Sequence, residues 1–217
     1  MRFNASVTSE LLEGMRQAKV VLGRAGLVVL PTDTVYGIGA DAFSAFAVNQ
    51  LLEAKGRTRV SPPPVLIPSL DTLRALAENP PAIAFTLAEA FWPGALTLIL
   101  RAQPSLSWDL GETKGTVALR IPNNELTLAL LKDVGPLAVS SANLTGEPAA
   151  ETVDAAEAYF GTKVPVYLDG GPSQGSEPST ILDLTEDGVV RVVRAGKLSV
   201  DEIKKVVGEA ASVVEQD

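Results

Sequence analysis

Short apolar runs rich in β-branched residues alternate along this chain with segments of helical period, and that alternation admits few architectures. Segments 27–30, 65–67, 95–100, 116–121, 137–139, 164–168, 180–184 and 189–193 read as strands. Between them, segment 44–55 carries Phe46, Val48, Leu51 and Leu52 on one helical face and stops at Gly56, a natural helix end. Segments 71–78 and 82–91 repeat the helical period on either side of Pro80-Pro81, and Trp92-Pro93-Gly94 breaks the chain before the next strand. A turn around Asp187-Gly188 joins the last two strands, and a final helix starts at Ser199, whose hydroxyl pairs with Glu202 in a capping-box signature. The expected fold is α/β, a single domain over residues 1–217 with an open, twisted, mixed sheet and flanking helices. Segment 172–178 is expected to be a mobile loop.

The chain contains neither cysteine nor histidine. Disulfides, thiolate nucleophiles and cysteine-ligated metals are excluded, and the commonest general base and metal ligand are both missing. Chemistry must come from positioned charges, hydroxyls and backbone dipoles, which points to reactions such as phosphoryl and nucleotidyl transfer. With 18 Lys and Arg against 26 Asp and Glu, the formal charge is −8. An acidic chain is a poor candidate for tight, sequence-independent nucleic-acid binding, so weak or no direct binding is expected. No apolar run approaches the ~18 residues needed to span a bilayer, and the first residues lack the apolar stretch of a signal peptide. A cytoplasmic protein without membrane association is expected.

Four segments depart from the apolar pattern. PTDTVYGIGAD follows the run at 27–30 and presents hydroxyls, a carboxylate, a tyrosine and two glycines; its plainer role is a strand-to-helix turn closed by local side-chain bonds. Lys55, Arg57 and Arg59 fall within five residues at a helix end, where cations also stabilise the helix dipole. Ser140, Ser141, Asn143 and Thr145 follow a buried strand, as a helix cap or as an anion or nucleotide site. Arg120 interrupts an apolar strand. Facing inward it requires an anionic partner, supplied either by a substrate carboxylate or by an Asp or Glu of the protein.

No Walker A loop occurs, and Gly37 and Gly39 do not extend to a dinucleotide fingerprint. Taken together, however, PTDTVYGIGADAF, KGR, WPGALTLIL, TVALRIP, SSANLTGEPA, STILDL and VVRAG strongly resemble the YrdC-type threonylcarbamoyl-AMP synthase family, in the family's order and over most of the chain. The resemblance implies a YrdC-like fold with a large concave groove. It also implies condensation of L-threonine, bicarbonate and ATP into L-threonylcarbamoyladenylate with release of pyrophosphate, the ATP accompanied by Mg²⁺. The product would pass to a tRNA threonylcarbamoyl transferase complex. Longer family members carry a further C-terminal domain, and this chain resembles the short form.

By the same resemblance, Thr34, Arg120 and Ser179 would hold the threonine, with Arg120 forking onto its carboxylate. Lys55 and Arg57 would clamp the triphosphate as the catalytic cations. Ser61, Thr116, Ser141, Asn143 and Arg194, together with Arg57, would form the nucleotide site. No protein metal ligand is implied. Two departures stand out. The family usually places a Lys or Asn directly before the proline after K-G-R, where this chain has Ser61, so that either Arg59 substitutes or phosphate binding is weaker; and Arg194-Ala195-Gly196 stands where Arg-Pro-Gly is common. Two other functions compete: a double-stranded RNA-binding module using the same groove, and a related carbamoyl transfer. The acidic total and the low aromatic content, 5%, argue against the first, and the absence of an accessory zinc-finger or acylphosphatase-like segment argues against the second.

Overall fold

Val28, Val29 and Leu30 are fully buried, as a β-branched run packed on both faces should be. They form β2 (Val28–Leu30) of a sheet whose other strands are β1 (Arg2–Asn4), β3 (Gly37–Asp41), β4 (Val65–Leu66), β5 (Leu96–Arg101), β6 (Thr116–Arg120), β7 (Leu137–Ser141), β8 (Val166–Asp169), β9 (Thr180–Asp183), β10 (Val189–Arg194) and β11 (Ser212–Glu215). The structure, a computed structural model, describes residues 1–215. Among them the eleven strands run in the order β1-β8-β2-β3-β7-β4-β6-β5-β9-β10-β11. The sheet is mixed as expected: β2–β3, β3–β7, β4–β7, β5–β6 and β9–β10 pair antiparallel, and the remaining neighbours pair parallel.

Alternation of side chains along the strands divides the core in two. On one face, Val29, Ile38, Leu96, Leu98, Leu119 and Leu182 meet α2 (Ala45–Lys55), α3 (Leu70–Leu76), α4 (Ala82–Phe91), α6 (Val153–Phe160) and α7 (Val200–Val207). On the other, Val28, Leu30, Leu66, Leu137, Val139, Val166 and Leu168 meet α1 (Thr8–Gly23) and α5 (Glu125–Val134). That second cover stops short. The β5, β6 and β9 residues of the same phase, Thr97, Ile99, Thr116, Ala118, Arg120 and Ile181, are met by no helix among the described residues and floor a groove.

Helix ends follow their local chemistry. Ser44 caps α2 by accepting from Ala47 N, and Gly56 ends the helix in the left-handed region at φ 62°. Ser199 and Glu202 form the expected capping box on α7. Three expectations differ from the structure. Half of PTDTVYGIGAD is strand β3 rather than a turn leading to a helix, and Phe46 is 65% exposed while Ala47 and Val48 face the core. The helices α1, α5 and α6 and the outer strands β1 and β11 are additional to the elements read from the sequence.

Gly37 and Gly39 allow β3 to lie close against β7. A Cβ at Gly37 would sit 2.6 Å from Val139 Cγ1, and one at Gly39 would sit 3.2 Å from Val139 Cγ2. Val139 is β-branched and held in a strand, so it yields little. Gly37→Ala is expected to destabilise the fold by about 1–3 kcal/mol and Gly39→Ala by less, as measured by urea denaturation; equal or reversed losses would contradict the close-packing argument.

Candidate active site

The groove encloses about 500 Å³. One wall is the segment that joins β2 to β3. Thr32 shapes it: its hydroxyl donates to Val35 O at 2.6 Å, accepts from Thr34 N at 3.1 Å and lies 3.0 Å from the Thr34 hydroxyl. From α5, Thr127 Oγ1 donates to Pro31 O at 2.5 Å, and Tyr36 Oη donates to Gly171 O at 2.6 Å while accepting from Gly170 N at 3.0 Å. The wall is thereby pinned at both ends, the second pin lying at the start of segment 172–178.

Arg120 rises from the floor into this wall. Its Nη2 donates to Asp33 Oδ1 at 2.7 Å, its Nη1 to the Thr34 hydroxyl at 3.2 Å and its Nε to Gly94 O at 2.9 Å. Asp33 also accepts from Asn123 N at 2.9 Å. Of the alternatives open for Arg120, the internal carboxylate is present. Burial lowers the Arg120 pKa and Asp33 opposes that shift. Three of a guanidinium's five donors are committed, leaving two for a ligand.

Arg57 and Arg194 differ in kind. Among the described residues neither has a carboxylate within ion-pair distance. Arg57 Nη1 donates to Ser140 Oγ at 3.0 Å, and Arg194 reaches Ser179 O through Nε and Nη2 at 3.1 and 2.6 Å. Burial lowers both pKa values, and Arg120 and Arg57 lower that of Arg194 further by repulsion. The only acidic residue lining the groove, among those described, is Glu147. Guanidiniums held together without counter-charge are costly unless an anion joins them.

The structure thus brings Thr34, Arg57, Thr116, Arg120, Ser141, Asn143, Ser179 and Arg194 to one groove. It does not bring Lys55 there. The Lys55 ammonium is turned inward, 3% exposed, and donates to the carbonyls of Ser141 and Asn143, the latter at 2.6 Å. Thr145 N returns a bond to Lys55 O at 2.9 Å. The left-handed turn at Gly56 separates the two cations, so that Lys55 braces the 141–145 turn from behind while Arg57 reaches the groove. Ser61 is exposed and outside the groove lining, which continues at Pro62, Pro63 and Pro64. Arg59 is engaged elsewhere, with Asp109 at 2.6 Å and Asn49 at 2.9 Å.

Asn143 is fixed by its own amide, whose Nδ2 donates to Leu144 O at 2.9 Å and Glu147 O at 2.7 Å. Its Oδ1 is buried without a partner among the described residues, an acceptor suited to a ligand's donor. Thr32, Thr97 and Glu147 also line the groove and Asp33 pairs with Arg120 beside it, places that the sequence did not assign to them individually. The available signal was a polar residue at period two within an apolar run, which marks Thr97 as plainly as it marks Arg120.

A family model described as "Telomere recombination", covering the Sua5/YciO/YrdC domain, matches residues 20–196. A Mycobacterium leprae relative provisionally named a threonylcarbamoyl-AMP synthase is 50% identical over 206 residues, 95% of this chain and 93% of that one. A Pyrococcus abyssi protein named threonylcarbamoyl-AMP synthase is 40% identical over 185 residues, 84% of this chain and 54% of that one. Among solved structures, P. abyssi Sua5 complexed with L-threonine superposes with a TM-score of 0.89 at 34% identity, over 98% of this chain and 62% of that one. Escherichia coli YciO superposes at 0.78 with 26% identity, over 87% and 92%.

Burial, helped by Arg57, lowers the Lys55 pKa to about 8 from 10.5. The native state therefore binds fewer protons than the unfolded state between those values, and stability rises with pH through that window. Relative to Lys55→Met, which does not titrate, the parent protein should gain stability between pH 8 and pH 10 in urea denaturation. A difference that shrinks as pH rises would contradict the buried ammonium.

Proposed function

The chain belongs to the Sua5/YciO/YrdC family, and from that premise we propose that it is an L-threonylcarbamoyladenylate synthase, a nucleotidyltransferase acting on L-threonine, bicarbonate and ATP. The observation that carries this reading is a pair of guanidiniums, the half-buried Arg57 and the exposed Arg194, that line one groove with no carboxylate within ion-pair distance among the described residues. Beside them lies a small hydroxyl-lined recess formed by Thr32, Thr34 and Ser179 next to Arg120. Anion-binding and amino-acid-sized subsites in one groove suit a reaction that joins an amino acid to a nucleotide. The threonine complex of the P. abyssi relative supports the amino-acid side of the reading.

Threonine's amine and bicarbonate condense, with loss of water, to a carbamate. A carbamate oxygen then attacks the α-phosphorus of ATP, and the bond to the bridging oxygen of pyrophosphate breaks. No side chain need act as a nucleophile, so the absence of histidine and cysteine is no obstacle. Thr34, Arg120 and Ser179 hold the amino acid, using the two Arg120 donors that Asp33, Thr34 and Gly94 leave free. Arg57 and Arg194 neutralise charge that builds up on the departing phosphates. Thr116, Ser141 and Asn143 complete the nucleotide site, and Lys55 acts from behind it by fixing the carbonyls of Ser141 and Asn143.

Among the described residues no group of three or more Asp, Glu, His or Cys side chains is placed to hold a metal ion. Mg²⁺ commonly binds through one or two carboxylates and the substrate phosphates. Glu147 and the unpartnered Asn143 Oδ1 fit an ion that arrives with ATP, where it would add charge neutralisation at the phosphates. We place the product's consumer in a transferase that modifies tRNA, with tRNA held by that partner. Tyr36 is the only aromatic residue lining the groove, among those described, which leaves no platform for stacking successive bases. Among the described residues no helix is long and apolar enough to cross a membrane.

Pyrophosphate release should require threonine and bicarbonate together, with serine poorer by about 10- to 200-fold in kcat/KM for want of one methyl. Arg57→Met, which keeps the stem and deletes the charge, should lower turnover by about a hundredfold to a thousandfold. Release that proceeds without threonine, or tight duplex-RNA binding at physiological salt that ATP does not compete, would overturn the assignment.

A further inference from the structure

Thr97 is the one polar side chain in the run Leu96-Thr97-Leu98-Ile99-Leu100 of β5, and it is fully buried. Its hydroxyl has a single hydrogen-bond partner among the described residues, the Ser179 hydroxyl at 2.8 Å. The Ser179 oxygen also lies 3.1 Å from Arg194 Nη2. Sheet register assembles the three groups at one level: Thr97 stands opposite Ile181 across the parallel β5–β9 pair, and Arg194 stands opposite the same residue across β9–β10. The turn after Arg194 is held against the Ser179 backbone closely enough that a Cβ at Gly196 would fall 2.7 Å from Ser179 C and 2.8 Å from Ser179 O.

The proton positions follow from which groups can accept. A guanidinium only donates, so one acceptor position of Ser179 belongs to Arg194. If Ser179 gave its proton to Thr97, the Thr97 proton would be left buried with nothing to receive it, which folded proteins avoid. Thr97 therefore donates to Ser179. Both acceptor positions of Ser179 are then filled, and its own proton remains for the groove that it lines.

We propose that Thr97 is a positioning residue that fixes Ser179 as a hydrogen-bond donor, so that this wall selects the carboxylate end of the amino-acid substrate and turns the amine toward the nucleotide. The proposal rests on the amino-acid reading of this recess given above. It sets specificity at the level of ligand polarity: at Ser179 a group presenting only N–H donors meets a saturated oxygen and two guanidiniums, whereas an oxygen acceptor meets donors; the Thr34 hydroxyl, whose proton goes to Thr32, offers an acceptor position instead.

Steady-state kinetics of pyrophosphate release test it on Thr97→Val, which keeps the shape and deletes the hydroxyl. The KM for threonine should rise about threefold to tenfold, the worth of one net hydrogen bond, with kcat, the KM for ATP and the melting temperature little changed. Thr97→Ser should recover most of the affinity. Should the valine variant not fold, Thr97→Ala carries the same expectation. Ser179→Ala separates the two ideas. If it raises the threonine KM while Thr97→Val and Thr97→Ala do not, the polarity proposal is wrong and the amino-acid reading stands; if Ser179→Ala also leaves the threonine KM unchanged, the amino-acid reading of this wall is wrong.

Discussion

The ion pair between Arg120 and Asp33 determines how charge is distributed in the groove. It joins the floor strand β6 to the wall between β2 and β3, with Gly94 O and Asn123 N completing the shell around both partners. Burial of a lone charge is prohibitive, whereas a paired and hydrogen-bonded one is tolerated. By committing Asp33 to Arg120, the fold leaves Arg57 and Arg194 without a carboxylate of their own among the described residues. The groove is a cationic recess in a chain of formal charge −8, and the contrast is local: among the described residues Glu147 is the one acidic residue of the lining. Net charge alone would have predicted the wrong sign for the site.

The arrangement also separates side chains that line the groove from those that hold them. Lys55 and Arg57 are two residues apart, yet the left-handed Gly56 sends one inward to the carbonyls of Ser141 and Asn143 and the other into the groove. Thr97 and Thr32 stand in the same relation to Ser179 and Thr34. In each case a buried polar group with few choices constrains a neighbour that lines the groove, Lys55 and Thr97 as donors and Thr32 as an acceptor from Thr34. Such supporting residues are what keep a site within the narrow tolerances that transfer chemistry demands.

Much of this was legible in the sequence, for reasons that also explain what was not. The helices α2, α4 and α7 announce themselves through Ser44 and Gly56, through Pro80-Pro81 and the break at Trp92-Pro93-Gly94, and through the Ser199 and Glu202 capping box. Helix α1 does not, because its buried stripe is Gly14, Ala18 and Leu22 while Leu12 is 67% and Val20 38% exposed; small residues carry the packing and the apolar signal points the wrong way. Strand β3 hides for a related reason: its glycines serve close approach to Val139, which no local pattern distinguishes from a turn. Eight of the residues named from family resemblance line the groove. Lys55 and Ser61 do not, since the direction of a side chain beyond a helix end depends on where the 141–145 turn comes to lie, and that is decided by sheet order rather than by neighbours in sequence.

On the proposed reading, Arg57 and Arg194 stand without a counter-charge among the described residues in order to receive a phosphate chain. Thermal melting with and without inorganic pyrophosphate, on the parent protein and on the Arg57→Met/Arg194→Met double variant, tests it most directly. Pyrophosphate should raise the melting temperature of the parent and not of the variant, and the ligand-free variant should melt no lower than the parent because like-charge crowding has been removed. A ligand-free variant that melts well below the parent yet is still stabilised by pyrophosphate would show that the two guanidiniums serve the fold and that the anion binds elsewhere.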